Sequence, residues 1–382
     1  MSTVRIAGAA TTTFGRHMDS TLADLSKNAV RAALDDAGMK PDQVDAVVFS
    51  NAAEGVLRGQ EMIRAQVSLR DSGLDGLPMF NTENACASGS SAVHLAWNML
   101  LAGRVGTVLV VGAEKLHHED KQRSFDAIES GVDRSLPPVE AVQGSVMMSS
   151  YAEEANAYAE SYGDVDEALT AIAIKNRDFA SRNDFAQFRT PITTADVASS
   201  RMVAPPLRLL MCSPLTDGAA ALVMTTSADA QGPTLVSSHV SSHATGQSVV
   251  EMSVRRIYEE TGSNAGDFNV FQLHDASAIA ELLQYEQIGL APVGKARELI
   301  LDGRTGFSGD RPVNTDGGLM SRGHALGATG VAQIVELTRQ LRGIADGRQI
   351  EGATSALAVN AGGWMGHDYA TCVATMLVAG AN

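Results

Sequence analysis

One cysteine stands in a run of small residues where its thiol could act as a nucleophile. Cys86 lies in the segment "NACASGSSA" at residues 84–92. An isolated cysteine is most often buried and inert. Here the small neighbours allow close approach of the backbone, and a helix that begins at this point would stabilise a thiolate through its N-terminal dipole. The sequence therefore makes Cys86 a candidate nucleophile.

A histidine in a second glycine-rich run is the candidate base. His324 lies in "GGLMSRGHALGATG" at residues 317–330. A lone histidine is more often structural, but a Gly-His pair at a helix start that faces a cysteine can accept the thiol proton. The run lacks the Lys-Ser/Thr ending of a P-loop and the G-x-G-x-x-G spacing of a dinucleotide-binding turn. A nucleotide-binding loop is therefore rejected.

The elements that must position these residues repeat along the chain. Residues 22–51 predict a helix, a glycine stop and a short apolar strand, and residues 250–275 predict the same three elements in the same order. Residues 86–114 and 323–363 each predict a helix followed by a buried strand. Two homologous α/β halves explain the repetition.

These halves define the predicted domains. We expect an N-terminal half over residues 1–229 and a C-terminal half over residues 230–382. Residues 116–205 are more polar and irregular, and we expect them to form an inserted loop domain over the first half that shapes the entrance to a site. If the halves pack about a pseudo-twofold axis, Cys86 and His324 face one crevice.

Composition excludes several classes of protein. The 382 residues are 45% hydrophobic and 19% charged, which suits a globular protein with a sizeable core. The formal charge of −15 disfavours nucleic acid and anionic membranes as partners. No window approaches about 18 uninterrupted apolar residues, so no membrane span is expected. Cys86, Cys212 and Cys372 match neither a disulfide framework nor zinc-ligand spacing, so we expect no metal and a cytoplasmic protein.

Five motifs, in order along the chain, resemble those of a known family. They are "NACASGSSA", "RMVAPPLRLLMCSPLTDGAAALVM", "HDASAIAELLQYEQIGL", "NTDGGLMSRGHALGATG" and "NAGGWMG". Together they resemble the thiolase superfamily, closest to thiolases of the sterol-carrier-protein-x type and to acetyl-CoA acetyltransferase-like bacterial and archaeal relatives. The resemblance covers nearly the whole chain. It implies a thiolase fold of two βαβαβαββ halves in a five-layered αβαβα arrangement, a homodimer, and a coenzyme A thioester as substrate without a permanently bound cofactor.

The resemblance also implies roles for individual residues. Cys86 would attack the thioester and hold the acyl group, and His324 would accept the thiol proton. His274, in the "HD" motif, would bind the thioester oxygen together with His324. The backbone N–H groups of Cys86 and Gly362 would form a second oxyanion hole, which stabilises charge on the carbonyl of the acylated cysteine.

The chain departs from the family pattern at the second catalytic cysteine. Relatives that make or break carbon–carbon bonds use this thiol to exchange a proton with the α-carbon. Its two expected positions carry Asn360 and Ala276, and neither side chain exchanges a proton near neutral pH. We consider Asn360 as a residue that lines the site, and His367 with Asp368 as candidates for a replacement base.

Three functions follow from this pattern. The leading hypothesis is an acyl-CoA-dependent acyltransferase with Cys86 as the acylated nucleophile. The second is a thiolase-like carbon–carbon lyase or C-acyltransferase that works with a small OB-fold partner protein. The third is a non-catalytic subunit that binds acyl-CoA.

Overall fold

The computed structural model describes residues 3–135 and 146–380. The strands within these residues are β1 (Val4–Thr11), β2 (Ala46–Ser50), β3 (Met79–Thr82), β4 (Thr107–Lys115), β5 (Met202–Ala204), β6 (Leu207–Arg208), β7 (Asp217–Thr225), β8 (Thr234–Ser242), β9 (Val270–Gln272), β10 (Ser355–Gly362) and β11 (Thr371–Val378). The α-helices are α1 (Leu22–Ala37), α2 (Glu54–Arg58), α3 (Arg64–Ser68), α4 (Ser88–Leu101), α5 (Lys121–Glu129), α6 (Val146–Tyr162), α7 (Asp166–Ser181), α8 (Thr194–Ser199), α9 (Val249–Thr261), α10 (Ala278–Gln287), α11 (Ala296–Leu301), α12 (Gly318–Ser321) and α13 (Leu326–Arg342).

Local signals in the sequence set the limits of helix α1. The Thr21 hydroxyl accepts the Asp24 N–H while the Asp24 carboxylate accepts the Thr21 N–H, which is a complete capping box. The helix ends at Gly38, whose φ of 63° lies in the left-handed region that glycine adopts without steric cost. These are the start and stop residues that the sequence predicts.

The sheet topology repeats between the two halves. In the first half β2 pairs parallel to β4, β4 antiparallel to β7, and β7 antiparallel to β1. In the second half β9, β10, β11 and β8 repeat this order and these directions. The first half adds β3 at its outer edge. A short antiparallel pairing of β1 with β8 joins both halves into one nine-stranded sheet.

Two helices from different halves lie between the two parts of the sheet. Helix α4 contacts β2 and β4 on one side and β8 and β11 on the other, and α13 contacts strands of both halves in the same way. Helix α1 covers the outer face of the first half and α9 that of the second. Every residue of β4 is buried, as expected for a strand with both faces covered. The predicted five-layered arrangement of two α/β halves is confirmed.

Glycines let α4 and α13 touch through their backbones. A Cβ atom added to Gly89 of α4 would lie 2.9 Å from the Val331 nitrogen of α13. A Cβ atom on Gly330 of α13 would lie 2.3 Å from the Ser90 nitrogen. Gly327 packs against the Asn51 backbone in the same manner, at 2.6 Å. The first turns of the two helices are therefore held at a distance that side chains would prevent.

The segment over residues 116–205 contacts both halves. We expected it over the first half; its helix α5 contacts α2 there, whereas α6 and α7 pack against α10, α11 and α12. The apolar side chains of Leu169 and Ile172 on α7 belong to the same core as Ile279 and Leu282 on α10. Burial of these two apolar faces against each other explains the position of the insertion. The boundary at residues 229 and 230 remains a prediction.

Membrane insertion by a helix finds no support in the described residues. Among residues 3–135 and 146–380, no helix has the length and the apolar character that crossing a bilayer requires.

The contact between α4 and α13 generates a stability prediction. We expect Gly330→Ala to lower the free energy of unfolding by about 2 kcal/mol or more, because the added methyl group overpacks a backbone contact. Denaturant unfolding followed by far-UV circular dichroism measures the change. Gly15→Ala is the matched control, since a Cβ atom there has no neighbour within 4 Å. Equal stability of both variants would contradict the described contact.

Candidate active site

Cys86 sits on a tight turn two residues before α4 begins. The turn is closed by the Ala87 N–H, which donates to the Asn84 carbonyl at 2.9 Å, and by the Ser88 hydroxyl, which accepts the Asn84 N–H at 2.8 Å. Ala85 has a φ of 47°, in a region that residues with a side chain rarely adopt. This conformation presents the Cys86 side chain at the start of the helix. His324 occupies the equivalent place, two residues before α13.

The structure brings Cys86, His274 and His324 together. One sulfur or ring nitrogen of each lies within 4.8 Å of the others. The two imidazole rings are edge to face, with centroids 5.3 Å apart. The three ligand types also suit zinc, which binds thiolate and imidazole. The absence of a metal therefore stays a prediction.

Hydrogen bonds assign the proton of His324. Its Nδ1 lies 2.8 Å from the Thr329 hydroxyl oxygen, and that hydroxyl donates its single proton to the Ala325 carbonyl at 3.0 Å. Because the Thr329 oxygen is then an acceptor, His324 Nδ1 carries the ring proton. Nε2 of His324 is left with a lone pair, which is the form that a general base requires.

The opposite tautomer is favoured at His274. The Asn360 amide nitrogen lies 3.1 Å from His274 Nδ1, and the Asn360 carbonyl oxygen accepts the Ser90 hydroxyl at 2.8 Å. An amide nitrogen can only donate, so His274 Nδ1 is unprotonated and Nε2 carries the proton. His274 can therefore donate a hydrogen bond to a substrate oxygen, while His324 accepts a proton.

Burial keeps all three groups uncharged in the resting site. It raises the pKa of the Cys86 thiol to about 12, although the Gly363 N–H donates a hydrogen bond to the sulfur and lowers the pKa. It lowers the pKa of His274 to about 3, and with the nearby His274 and Arg322 it holds the pKa of His324 well below its usual range. The helix-dipole effect expected from the sequence is thus outweighed by desolvation.

The glycine loop after β10 packs on the Cys86 turn. A Cβ atom at Gly362 would lie 2.4 Å from the Ala87 nitrogen and 2.9 Å from the Cys86 nitrogen, so only glycine fits. Gly363 has a φ of 67° and follows directly. Backbone N–H groups from both segments therefore surround the sulfur, as an oxyanion hole requires. The assignment of Gly362 as one of the donors remains a prediction.

A cavity of about 240 Å³ contains the three catalytic candidates. Most of its wall is apolar, including the side chains of Phe125, Ile128, Met147, Val203, Leu209 and Leu326. A second cavity of about 230 Å³ shares Cys86 and is more polar, with Arg64 and Glu83 in its wall. The thiol is therefore accessible to a substrate with an apolar portion.

The two positions expected for a second cysteine lie at or beside the cavity. Ala276 lines the apolar cavity, and Asn360 is buried against His274. His367 does not reach the cavity of Cys86: it is exposed and lines a separate depression at the surface. Asp368 accepts the Val249 N–H at the start of α9. The structure therefore does not bring this pair to the site.

Three cavity residues escape the sequence analysis. Cys212, to which the sequence assigned no role in the site, is only partly buried and lines the cavity. Tyr151 and Tyr369 also line it, and their hydroxyl oxygens are 3.2 Å apart. Tyr369 stands two residues after His367, so a search of the same segment for protic side chains would have found it. No local signal marks Tyr151, because its segment carries no recognisable motif.

Asp275 holds the loop that leads to His324. Its carboxylate accepts the N–H groups of Leu319 and Met320, at 2.8 and 3.3 Å, and the Asn176 amide at 2.9 Å. These contacts fasten α12 to the end of β9. Because Asp275 follows His274 directly, the two histidines are positioned by one carboxylate.

Comparison with known proteins identifies the family. The profile "Thiolase, N-terminal domain" matches residues 4–228, and "Thiolase C-terminal domain-like" matches residues 233–375. An acetyl-CoA acetyltransferase of Methanothermobacter thermautotrophicus is 34% identical over 95% of this chain and 97% of its own. Sterol carrier protein 2 of Bos taurus is 32% identical over 89% of this chain and 66% of its own.

A solved structure shows the same fold. The Ltp2-ChsH2(DUF35) aldolase superposes with a TM-score of 0.78 at 23% identity, over 99% of this chain and 98% of the other. The resemblance drawn from the five motifs is confirmed, and so is the prediction of an acyltransferase. The chain belongs to the thiolase family of acyltransferases.

Proposed function

We propose that this protein transfers an acyl group from a coenzyme A thioester to Cys86 and from there to an acceptor. The observation that carries the proposal is the cluster of the Cys86 thiol with His324, whose Nδ1 is bonded to Thr329 so that Nε2 is left to accept a proton. A neutral thiol beside a neutral imidazole is the starting state for attack with proton transfer.

The geometry supports the following acylation step. His324 Nε2 takes the thiol proton as the Cys86 sulfur attacks the thioester carbon, and the carbonyl oxygen becomes negatively charged. Backbone N–H groups of Cys86 and of the glycine loop stabilise that oxygen. The carbon–sulfur bond to coenzyme A then breaks, and His324 returns its proton to the departing thiolate. When the next thioester binds, the Nε2–H group of His274 donates a hydrogen bond to its carbonyl oxygen.

The apolar cavity suits the acyl chain. Its wall is formed mainly by aliphatic, methionine and aromatic side chains, which bind hydrocarbon without a need for polar partners. We propose that the acyl group lies there and that acyl chains longer than acetyl are accepted.

A second candidate function is a carbon–carbon lyase that works with a small OB-fold partner and does not acylate Cys86. The non-thiol residues at positions 276 and 360 favour it. The structural neighbour discussed above is, by its name, an aldolase with a ChsH2(DUF35) component. Full lyase activity of Cys86→Ala would distinguish this function from acyl transfer.

Two copies of the chain are proposed to associate along β3. This strand is the outer edge of the first half, so its free side can pair with a second copy. Apolar side chains around it are exposed, including Met62 at 77%, Ile63 at 58% and Phe80 at 51%. Such a patch at a sheet edge is typical of an interface.

The first test of the proposal is intact-protein mass spectrometry after mixing with acetyl-CoA and with longer acyl-CoAs. We expect the mass of one acyl group on the wild-type protein and none on Cys86→Ala. His324→Ala should slow acylation by about 100-fold or more, the usual worth of a general base. A chelator should leave acylation unchanged. Unmodified protein with every donor would contradict the proposal.

Alkylation with iodoacetamide tests the uncharged resting state. Since the pKa of Cys86 is raised to about 12, only a small thiolate fraction exists near neutral pH. We expect the rate at the Cys86 peptide to rise about tenfold per pH unit between pH 7 and 9, as the thiolate fraction does. A rate that is constant over this range would indicate a preformed thiolate and imidazolium pair instead.

Sedimentation velocity tests the proposed dimer. Met62→Asp should raise the dissociation constant by about 100-fold, because an unpaired carboxylate in an apolar interface costs several kcal/mol. Val293→Asp serves as the control, since Val293 is 72% exposed and lies in the second half. Equal sedimentation of both variants and the wild type would exclude β3 as the interface.

A further inference from the structure

Cleavage of a carbon–carbon bond next to a thioester leaves an enolate whose α-carbon must receive a proton. Neither Ala276 nor Asn360 can supply it. Among the described residues of the cavity wall, four neutral protic groups remain besides Cys86 and the two histidines: Cys212, Ser213, Tyr151 and Tyr369. The acid must lie near the histidine that binds the thioester oxygen, because the α-carbon is bonded to that carbonyl.

Tyr369 fulfils this condition. Its ring packs edge to face on His274, with centroids 5.6 Å apart, and it is only 7% exposed. The Trp364 ring also packs against the Tyr369 ring, with centroids 5.2 Å apart. The Tyr151 hydroxyl donates to the Tyr369 oxygen, so the Tyr369 proton is not used in that bond. Within residues 3–135 and 146–380, no acceptor takes that proton.

We propose that the Tyr369 hydroxyl is the catalytic acid that protonates the α-carbon of the thioester enolate in place of a second cysteine. The inference rests on the proposed acylation of Cys86. His324 Nε2 takes the thiol proton as the Cys86 sulfur attacks the keto carbon of a 3-oxoacyl-CoA, and the bond between that carbon and the α-carbon then breaks. Its electron pair forms the enolate, whose oxygen His274 and His324 bind. The α-carbon takes the Tyr369 proton, which releases a shortened acyl-CoA and leaves acyl-Cys86.

The surroundings of Tyr369 favour the protonated phenol. Burial, followed by the neighbouring Tyr151 and Glu154, raises its pKa well above the usual value. The phenol therefore rests in the protonated form, from which it can donate to the α-carbon.

A route for the returning proton is present on α6. Tyr151 already contacts the Tyr369 oxygen and can donate to the phenolate. Glu154 lies one helical turn further along and lines a depression at the surface together with His243 and Asp368. Burial and the adjacent Asp368 raise the pKa of Glu154 to about 8, so this carboxyl holds a proton near neutral pH. Tyr151 is thus a positioning residue on the helix that also carries this protonated carboxyl.

The other thiol of the cavity is less suitable. Cys212 donates its proton to the Arg208 carbonyl at 3.4 Å. Its segment pairs with the chain at Ser277, next to Ala276, and its sulfur does not belong to the cluster of Cys86 with the two histidines. Cys212 is therefore the rival to be tested.

A comparison of two acyl donors that give the same acyl-enzyme shows the effect of the proton transfer alone. Acetyl-CoA and acetoacetyl-CoA both give acetyl-Cys86, and octanoyl-CoA and 3-oxodecanoyl-CoA both give octanoyl-Cys86, but only the oxo compounds require protonation of the α-carbon. Rapid-quench mass spectrometry gives the rate from each donor. For Tyr369→Phe we expect the ratio of the rate from the 3-oxoacyl-CoA to the rate from the simple acyl-CoA to fall by about 100-fold or more.

Three further variants complete the experiment. Tyr162→Phe makes the same chemical change on an exposed tyrosine of α6 and should leave both rates unchanged. Tyr151→Phe should lower the same ratio of rates, by a smaller factor than Tyr369→Phe. Cys212→Ala should change both rates by the same factor, through the shape of the cavity.

Each outcome of this experiment bears directly on the role of Tyr369. Equal rates of Tyr369→Phe and wild type with the 3-oxoacyl-CoA would overturn the inference, and a selective loss in Cys212→Ala would assign the role to that thiol. A wild-type protein that is acylated by acyl-CoA but by no 3-oxoacyl-CoA would overturn the inference and leave acyl transfer standing. A wild-type protein that is not acylated by any donor would refute the proposed function as well.

Discussion

The contact between the first turns of α4 and α13 is the constraint on which the site depends. Gly89 and Gly330 bring the two backbones so close that a single methyl group would not fit. Because Cys86 and His324 precede these turns by two residues each, the distance between nucleophile and base follows from the helix crossing. The glycine loop with Gly362 closes on the same point from β10. Backbone packing, more than side-chain contacts, therefore sets the geometry of the chemistry.

Within this geometry, desolvation sets the charge of the three side chains and hydrogen bonding sets the tautomers of the two histidines. Burial removes charge from Cys86, His274 and His324, so none of them needs a counter-ion. Hydrogen bonds then give the two chemically identical imidazoles different tautomers. Thr329 leaves His324 with a free lone pair, and Asn360 leaves His274 with an outward N–H. Asn360, at a position where the family resemblance implies a thiol, thus orients the tautomer of His274.

Much of the fold was predictable because its signals are local. The capping box at Thr21, the glycine stop at Gly38 and the repeated order of helices and strands are all legible in short segments. The positions of Cys86 and His324 followed from the same repetition. The tyrosine pair was not predictable, since Tyr151 and Tyr369 are 218 residues apart and meet only in the folded chain. The position of Cys212 in the cavity wall and the packing of the inserted segment were not predictable either, because both depend on long-range burial of apolar faces.

The pairing of β1 with β8 and the repeated topology of the halves have a consequence for the number of sites. Each half offers one helix start to the shared crevice, and the two starts carry different residues, Cys86 and His324. A half-length ancestor assembled as a symmetric pair would have carried the same residue twice. Duplication within one gene lets the two copies diverge, so one chain holds one complete site that neither half could form alone.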